Sequence, residues 1–173
     1  MTCENLILGH RGFIGSNFYE FLKKKNKSLK IIDTPKIKKK DITFFFNFLS
    51  QKILKYKPRY IWNFLGTHSS NLNQNLDSNF LLSYKLINLI NNKKLNSKII
   101  FIGSAIEDNF ESFSNLKKKK LNYAISKNLQ SLLINSSNFK KNFYILKLYN
   151  VYGDGVKINL FPGKINVMIK KIL

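Results

Sequence analysis

Short apolar runs alternate with longer amphipathic stretches along the whole chain. The short runs are rich in Ile, Leu and Phe and have the length of buried strands, whereas the longer stretches repeat apolar residues at helical spacing. The predicted strands are Asn5–Leu8, Leu29–Ile32, Tyr60–Leu65, Lys98–Ile102 and Tyr144–Leu148. The predicted helices are Ser16–Lys25, Phe44–Tyr56, Asn79–Asn91 and Asn122–Asn135.

Strands that alternate with helices of this length predict βαβ units and therefore a parallel sheet covered by helices on both faces. Because such crossovers are right-handed, the economical topology is an α/β fold with a doubly wound parallel sheet. The polar Lys38–Lys40 and Lys117–Lys120 runs are predicted to be exposed loops.

Composition fits a single domain, because 173 residues of which 44% are hydrophobic can bury a core. Cys3 is the one cysteine, which excludes an internal disulfide and favours a reducing compartment. The first residues lack a basic segment followed by an apolar run, and no apolar run is long enough to span a bilayer. We therefore expect a cytoplasmic protein without membrane contact, and no metal site is predicted.

The formal net charge of +21 raises the question of a nucleic-acid partner. Arg11 and Arg59 are the only arginines, although readers of bases and phosphates favour the forked guanidinium. The lysines are spread over every segment, which is typical of solvated surfaces rather than of one binding face. Nucleic acid is therefore not the predicted partner, whereas weak attraction of an anionic nucleotide is expected.

A glycine-rich turn joins the first predicted strand to the first predicted helix. In this turn Gly9 permits a tight bend, Gly12 lets the backbone approach a pyrophosphate, and Gly15 lets the helix pack close to the strand. The free N–H groups at the helix start favour a phosphate. The sequence thus predicts a dinucleotide site at the turn of Gly9, Gly12 and Gly15, a loop that also contains His10, Arg11, Phe13 and Ile14 as candidate cofactor-binding residues.

Asp33 follows the second predicted strand, where a carboxylate accepts hydrogen bonds from the ribose hydroxyls of NAD. Its charge would repel the additional phosphate of NADP, so NAD is the predicted cofactor. Lys36 and Lys38 lie close enough in the sequence to keep NADP as an open alternative.

Tyr123 and Lys127 are four residues apart and therefore lie on one face of a predicted helix. The ammonium group of Lys127 is expected to lower the pKa of the Tyr123 phenol from its ordinary value of about 10. A phenol tuned in this way can exchange a proton with a substrate oxygen near neutral pH. Ser104 ends the fourth strand, at the carboxyl edge where ligands bind to such sheets.

These motifs, in this order, resemble the extended short-chain dehydrogenases of the NAD-dependent epimerase/dehydratase family, which act on nucleotide sugars. The Gly9–Gly15 loop has their Gly-x-x-Gly-Phe-Ile-Gly spacing, and the His10-Arg11 insert is similar to that of GDP-fucose synthases. The segment from Lys147 to Gly155 resembles the one that leads into their substrate site.

The resemblance implies a Rossmann-type NAD(P)-binding fold with Ser104, Tyr123 and Lys127 as the catalytic residues. It also implies further cofactor contacts from Asp41, Ile42, Phe64, Leu65 and Gly66, with Lys127 holding the nicotinamide ribose and Asn150 contacting the substrate. The implied function is an isomerase or oxidoreductase reaction: NAD-dependent epimerisation or dehydration of a nucleotide sugar, with hydride transfer at sugar C4. An NADPH-dependent 4-keto-sugar reductase is the alternative.

The domain organisation predicted from this resemblance is a cofactor-binding domain over residues 1–155 and the start of a truncated substrate-binding region over 156–173. Asp108 stands where the family has a tyrosine, and the following stretch up to Tyr123 is short for the family. Whether this chain is catalytically active is therefore an open question. The alternative outside the enzymes is a non-catalytic subunit that binds a dinucleotide or pairs with a complete homologue. The family further implies a homodimer formed through helices 79–91 and 122–135.

Overall fold

The structure is a computed structural model that describes residues 3–25, 29–32, 42–108, 116–136, 140–149 and 151. The predicted site residues Asp33, Asp41 and Asn150 lie outside these residues. So do the Lys38–Lys40 run and the predicted domain boundary near residue 155.

Five strands form one sheet in which every pairing is parallel. The strands are β1 (Asn5–Leu8), β2 (Leu29–Ile32), β3 (Tyr60–Asn63), β4 (Lys98–Ser104) and β5 (Phe143–Leu148). Their order across the sheet is β2-β1-β3-β4-β5, which confirms the doubly wound α/β prediction. The chain changes direction across the sheet between β1 and β3, and ligands of such folds bind beside the carboxyl ends of the strands at this switch point.

Helices occupy the connections between the strands. They are α1 (Phe13–Lys24), α2 (Ile42–Tyr56), α3 (Leu72–Asn75), a π-helical segment (Leu76–Leu81), α4 (Leu82–Asn92) and α5 (Lys118–Ser136). Short 3₁₀ turns lie at Ala105–Asp108 and Lys140–Asn142. Within the described ranges, every helix is too short or too polar to cross a bilayer.

The main core lies between one face of the sheet and the helices α2 and α4. All four residues of β1 are buried, as expected of a central parallel strand with a helix layer on each face. Leu6, Leu8 and Phe101 from the sheet pack with Leu49 of α2 and Leu86 of α4 in one apolar cluster. On the opposite face the ring centroids of Phe18 in α1 and Trp62 in β3 are 4.4 Å apart, so α1 is held against the sheet there.

Several predicted element boundaries differ from the structure by a few residues. β3 ends at Asn63 rather than Leu65, because the Asn63 Oδ1 accepts a hydrogen bond from the Leu65 N–H at 3.2 Å and turns the chain. α1 begins at Phe13 rather than Ser16. The predicted helix starting at Asn79 is preceded by α3, which the Asn71 side chain caps by accepting from the Gln74 N–H.

The prediction that Lys117–Lys120 forms an exposed loop is wrong. The carbonyl of Lys117 accepts backbone hydrogen bonds from Lys120 and Leu121, and α5 begins at Lys118. Lysine is a good helix former, and its long side chain reaches solvent from a helix surface as easily as from a loop. The run is exposed as predicted, but it is the first turn of a helix.

Candidate active site

The turn after β1 depends on two glycines at which any side chain would collide with backbone. Gly9 has a φ of +79°, and a Cβ added there would lie 2.8 Å from the carbonyl carbon of Phe64. A Cβ added at Gly15 would overlap the carbonyl oxygen of Gly9. The turn is closed by a 3.0 Å hydrogen bond from the Gly12 N–H to the Gly9 carbonyl. The roles predicted for Gly9 and Gly15 thus correspond to contacts in the structure.

Gly12 is different, because space is open around it. It caps the start of α1 with extended backbone, and a Cβ added there would meet the Gly9 carbonyl oxygen at 3.4 Å, an ordinary contact. The first turn of α1 carries no acidic residue. A helix start whose first N–H groups have no acceptor within the helix, with a glycine at its cap and no acidic residue in its first turn, fits a dinucleotide pyrophosphate.

Five further predicted cofactor residues are His10, Arg11, Phe13 and Ile14, which lie in the turn or begin α1, and Phe64, whose backbone lies against Gly9. The ring centroid of His10 is 6.5 Å from that of Tyr19, and Arg11 is exposed. Phe13 and Ile14 begin α1 and are partly buried. Phe64 lies at the end of β3, with its ring centroid 5.3 Å from that of Phe18.

Leu65 and Ile42 pack against the apolar core. Leu65 lies in the loop after β3 and Ile42 begins α2, so both are partly buried within the helix-covered face. Their predicted cofactor contacts stay predictions, since the core contacts alone account for apolar residues at these positions.

Ser104 and Tyr123 meet at the carboxyl end of β4. Ser104 is the last residue of the strand, and its side chain hydrogen-bonds the phenol of Tyr123 on α5. Burial raises the pKa of Tyr123, and the charge of Glu107 adds to the rise, whereas the hydrogen bond with Ser104 opposes it. The direction is opposite to the one predicted from the Tyr–Lys spacing.

Lys127 explains the difference, because its ammonium group is directed elsewhere. The Lys127 Nζ donates hydrogen bonds to the carbonyl of Ile102 at 2.6 Å and to the Oε1 of Gln130 at 3.0 Å. It lies 6.0 Å from the centroid of the Tyr123 ring. Burial lowers the pKa of Lys127 to about 8, and the charge of Glu107 limits the fall. Helical spacing thus brings the two residues together but does not produce the expected charge effect.

The loop after β3 is tied to α5 by buried asparagines, of which Asn79 makes the most hydrogen bonds. The Asn79 Oδ1 accepts from the Thr67 N–H at 3.1 Å, and its Nδ2 donates to the Thr67 carbonyl at 3.0 Å and to the Ser126 Oγ at 2.9 Å. A Cβ at Gly66 would lie 2.8 Å from the same Oδ1, so glycine is required for this close approach. The loop, the π-helical segment and the helix of Tyr123 are therefore one connected unit.

Two residues of the site were not predicted from the sequence. The ring centroid of His68 is 4.8 Å from that of Tyr123, and burial together with Lys119 and Lys120 lowers the pKa of His68. Glu107 is buried three residues after Ser104 and accepts a hydrogen bond from its N–H. Histidines and acidic residues are rare in this chain, with two and nine copies respectively, and this rarity could have marked His68 and Glu107 as candidate site residues.

The glycine turn, the Phe64–Gly66 loop and the Ser104–Tyr123–Lys127 group therefore lie along the carboxyl ends of the three adjacent strands β1, β3 and β4. This is one continuous edge of the sheet, on the switch-point side. Across the described ranges, no three His, Cys, Asp or Glu residues are grouped so as to hold a metal ion.

Comparison with known proteins places this arrangement in context. The model of the family described as "NAD dependent epimerase/dehydratase family" matches residues 5–173. No curated protein sequence matches the chain significantly.

Solved structures with the same fold include three enzymes. The GDP-D-glycero-L-gluco-heptose synthase of Campylobacter jejuni, determined with NADPH, is 18% identical with a TM-score of 0.71 over 98% of this chain and 54% of its own. The dTDP-4-dehydrorhamnose reductase of Bacillus anthracis, with NADP, is 15% identical with a TM-score of 0.72, over 99% and 60%. The Bordetella bronchiseptica enzyme WbmG, with NAD and UDP, is 16% identical with a TM-score of 0.70, over 99% and 61%. The chain thus spans little more than half the length of these relatives.

Proposed function

Because the chain belongs to the NAD dependent epimerase/dehydratase family, we propose that it binds a nicotinamide dinucleotide along this sheet edge. We further propose that Ser104, Tyr123 and Lys127 serve hydride transfer on a nucleotide sugar. The observation that carries the proposal is that Ser104, at the end of β4, and Tyr123, whose pKa it affects, lie on the same edge of the sheet as the glycine turn, where space is open at Gly12. The relatives crystallised with NADPH, NADP or NAD support the cofactor class.

The residues of this chain would hold the dinucleotide at two places. The N–H groups at the start of α1 would receive the pyrophosphate, with Gly12 allowing its close approach. Lys127 lies on α5, its Nζ reaches the Ile102 carbonyl of β4, and it would hold the nicotinamide ribose. When bound, the cofactor supplies the hydride chemistry, while the protein supplies position and electrostatics.

Tyr123 would exchange the proton with the reacting sugar oxygen, and Ser104 would orient that oxygen through a hydrogen bond. Since the pKa of Tyr123 is raised, its phenol is protonated at neutral pH. A protonated phenol is suited to donate to the oxygen of a carbonyl that is being reduced. The second candidate, an NADPH-dependent 4-keto-sugar reductase, would use Tyr123 in this form, as would the reduction step of the NAD-dependent epimerase or dehydratase expected from Asp33.

Cofactor binding tests the first part of the proposal. NADH and NADPH would be titrated into the chain and followed by nicotinamide fluorescence, with Gly12→Val as the informative variant. The open space at Gly12 can accommodate a valine without disturbing the fold. The methyl groups of that valine would, however, occupy the space that the pyrophosphate needs. We expect saturable binding that G12V abolishes while circular dichroism stays unchanged. Binding that G12V leaves intact would refute the proposed site, and tighter binding of NADPH would select the reductase.

Turnover tests the second part. Nucleotide 4-keto sugars and nucleotide hexoses would be supplied with the preferred cofactor, and Tyr123→Phe would serve as the control that retains the ring and removes the proton. We expect turnover that falls by at least about 10²-fold in Y123F, the usual contribution of a general acid or base. Cofactor binding without any turnover would instead identify a non-catalytic dinucleotide-binding subunit.

The predicted homodimer, the cytoplasmic location and the substrate-binding role of residues 156–173 stay predictions. Tyr84 on α4 and Leu132 on α5 are large and exposed, as a helix-mediated dimer would require. Sedimentation equilibrium of the chain would test the pairing, and a strict monomer would refute it.

A further inference from the structure

Glu107 is a buried acid at the centre of the candidate active site. It lies in the 3₁₀ turn that follows β4, and 2% of the residue is exposed. Its Oε1 accepts a hydrogen bond from the Ser104 N–H at 3.1 Å, and its Oε2 accepts one from the Ser131 Oγ of α5 at 2.7 Å. A buried carboxylate with acceptors engaged on both oxygens is a fixed charge with a fixed orientation.

The surrounding structure makes room for this carboxylate. A Cβ added at Gly103 would lie 2.7 Å from the Glu107 Oε1, so the absence of a side chain in β4 creates the space. The Glu107 carbonyl accepts a further hydrogen bond from the Asn128 Nδ2 at 3.2 Å. The turn is therefore attached to α5 through both its backbone and its side chain, at Asn128 and Ser131, one and two helical turns beyond Tyr123.

Charged and titratable groups face this region from each neighbouring element. From β5, the Lys147 Nζ lies 3.9 Å from the Glu107 Oε1 and is 37% exposed. From α5, Tyr123 and Lys127 both respond to the charge of Glu107. From the loop after β3, His68 contacts Tyr123. Among these described residues, Glu107 carries the negative charge, and Lys127 and Lys147 carry the positive charges.

We propose that Glu107 is a positioning residue for the catalytic pair, in that it fixes the Ser104 end of β4 to α5 and holds a negative charge beside Ser104 and Tyr123. The negative charge of Glu107 keeps the Tyr123 phenol protonated and the Lys127 ammonium group charged. Tyr123 therefore acts as the acid, and Ser104 orients the reacting oxygen. Lys147 offsets part of that charge from the solvent side. This inference rests on the proposed function for the roles of Ser104 and Tyr123.

The experiment reads the ionisation of Tyr123 without requiring turnover. The full chain would be labelled with 3-fluorotyrosine, whose phenol ionises at lower pH than that of tyrosine, and titrated by fluorine NMR. The resonance of Tyr123 among the eight tyrosines is assigned by its absence in Y123F. Glu107→Gln removes the charge but keeps an oxygen that accepts from the Ser104 N–H. Glu4→Gln is the matched control, because Glu4 precedes β1 at the opposite edge of the sheet.

We expect the Tyr123 resonance of E107Q to titrate at lower pH than in the unsubstituted chain, with amide exchange at Ser104 staying slow and with E4Q unchanged. Lys147→Gln, a change at a partly exposed residue, is expected to move the midpoint in the opposite direction and gives a second reading if E107Q does not fold. An unmoved midpoint in E107Q, an equal shift in E4Q, or no rise in K147Q would overturn the inference.

The outcomes separate this inference from the proposed function. A shift in E107Q in a chain that binds no dinucleotide would refute the proposed function and leave the role of Glu107 in place. A chain that binds cofactor and turns over, with the same Tyr123 midpoint in E107Q, would refute the role of Glu107 alone.

Discussion

Lys127 brings an ammonium group into a place that solvent barely reaches. The residue is 4% exposed, and its Nζ donates to the Ile102 carbonyl and to the Gln130 Oε1. Gln130 in turn donates to the Ser83 Oγ at 2.7 Å, so the lysine is one member of a buried polar chain that joins β4, α5 and α4. A buried charge of this kind is retained at a cost in stability, which suits a functional residue better than a structural one.

The cost of burying the Lys127 charge is expected to make the free energy of unfolding depend on pH. The pKa of Lys127 is about 8 in the folded chain and 10.5 ordinarily, so between these values the unfolded chain binds more protons at this residue than the folded one. The free energy of unfolding should therefore rise with pH over that window, by on the order of 3 kcal/mol from this group. Urea denaturation between about pH 7 and pH 10 measures it.

Comparison with variants isolates Lys127 from the other lysines. Lys127→Met should lose this component of the rise, whereas Lys23→Met, a change at an exposed position of α1, should retain it. The comparison ends near pH 10, because the raised pKa of Tyr123 lowers stability once unfolded tyrosines ionise. Parallel pH curves for the chain and K127M would contradict the buried-charge account.

For single residues, the sequence predicted the features that depend on local backbone conformation. It did not predict the pKa shifts, which depend on burial. Gly9 and Gly15 were predicted to permit a tight turn and close packing, and a Cβ at either position collides with backbone. The pairing of Tyr123 with Lys127 on one helix face was also predictable. The direction of the Tyr123 pKa was not, because it depends on burial and on where the lysine side chain ends, which spacing does not specify.

The helical connection between β3 and β4 shows what an element adds to its residues. A π-helical segment, Leu76–Leu81, interrupts the α-helix that begins at Leu72 and continues to Asn92. π-helical insertions occur frequently at functional sites. Here the segment contains Asn79, whose side chain joins the Thr67 loop to Ser126 on α5. Apolar periodicity predicted a helix from Asn79 onward but carries no sign of such an insertion.

Asn79→Ala should therefore weaken the whole connection. Asn79 is fully buried, and the substitution would leave the N–H and carbonyl of Thr67 without their side-chain partner. The fully buried Ser126 Oγ also loses the hydrogen bond that it accepts from Asn79. Since an unsatisfied buried polar group costs about 1–3 kcal/mol, we expect a loss of about that size in chemical denaturation.

Asn73→Ala provides the matched comparison, because Asn73 is an exposed asparagine in α3. Its substitution should change the free energy of unfolding by less than about 0.5 kcal/mol, as at most surface positions. Equal effects of N79A and N73A would show that the bridge to Thr67 and Ser126 contributes nothing.

For the whole molecule, the doubly wound parallel sheet was the most predictable feature. Right-handed crossovers between alternating strands and helices leave few topologies, and the observed sheet is of the predicted class. The site was predictable to the extent that its parts follow strand ends, as the glycine turn and Ser104 do. His68 and Glu107 were missed because they reach the site through loop and turn geometry, which apolar periodicity does not report.

The charge of the molecule makes a separate prediction about how it binds its ligand. The net charge of +21 attracts a dinucleotide, which carries phosphate charge, and this attraction is screened by salt. The Debye length falls from about 10 Å at 0.1 M to about 3 Å at 1 M ionic strength. We expect the dissociation constant for NADH or NADPH to rise several-fold over that range when followed by nicotinamide fluorescence.

The comparison ligand is adenosine, which has the same base and ribose but no phosphate. If the attraction is electrostatic, competition by adenosine should be nearly independent of salt while dinucleotide binding weakens. A salt-independent dissociation constant for the dinucleotide would show that the charge is too evenly spread to act at the site. Retention of the chain on duplex DNA with a steep salt slope would instead place the lysines on a nucleic-acid face, since such binding releases counterions in proportion to the phosphates contacted.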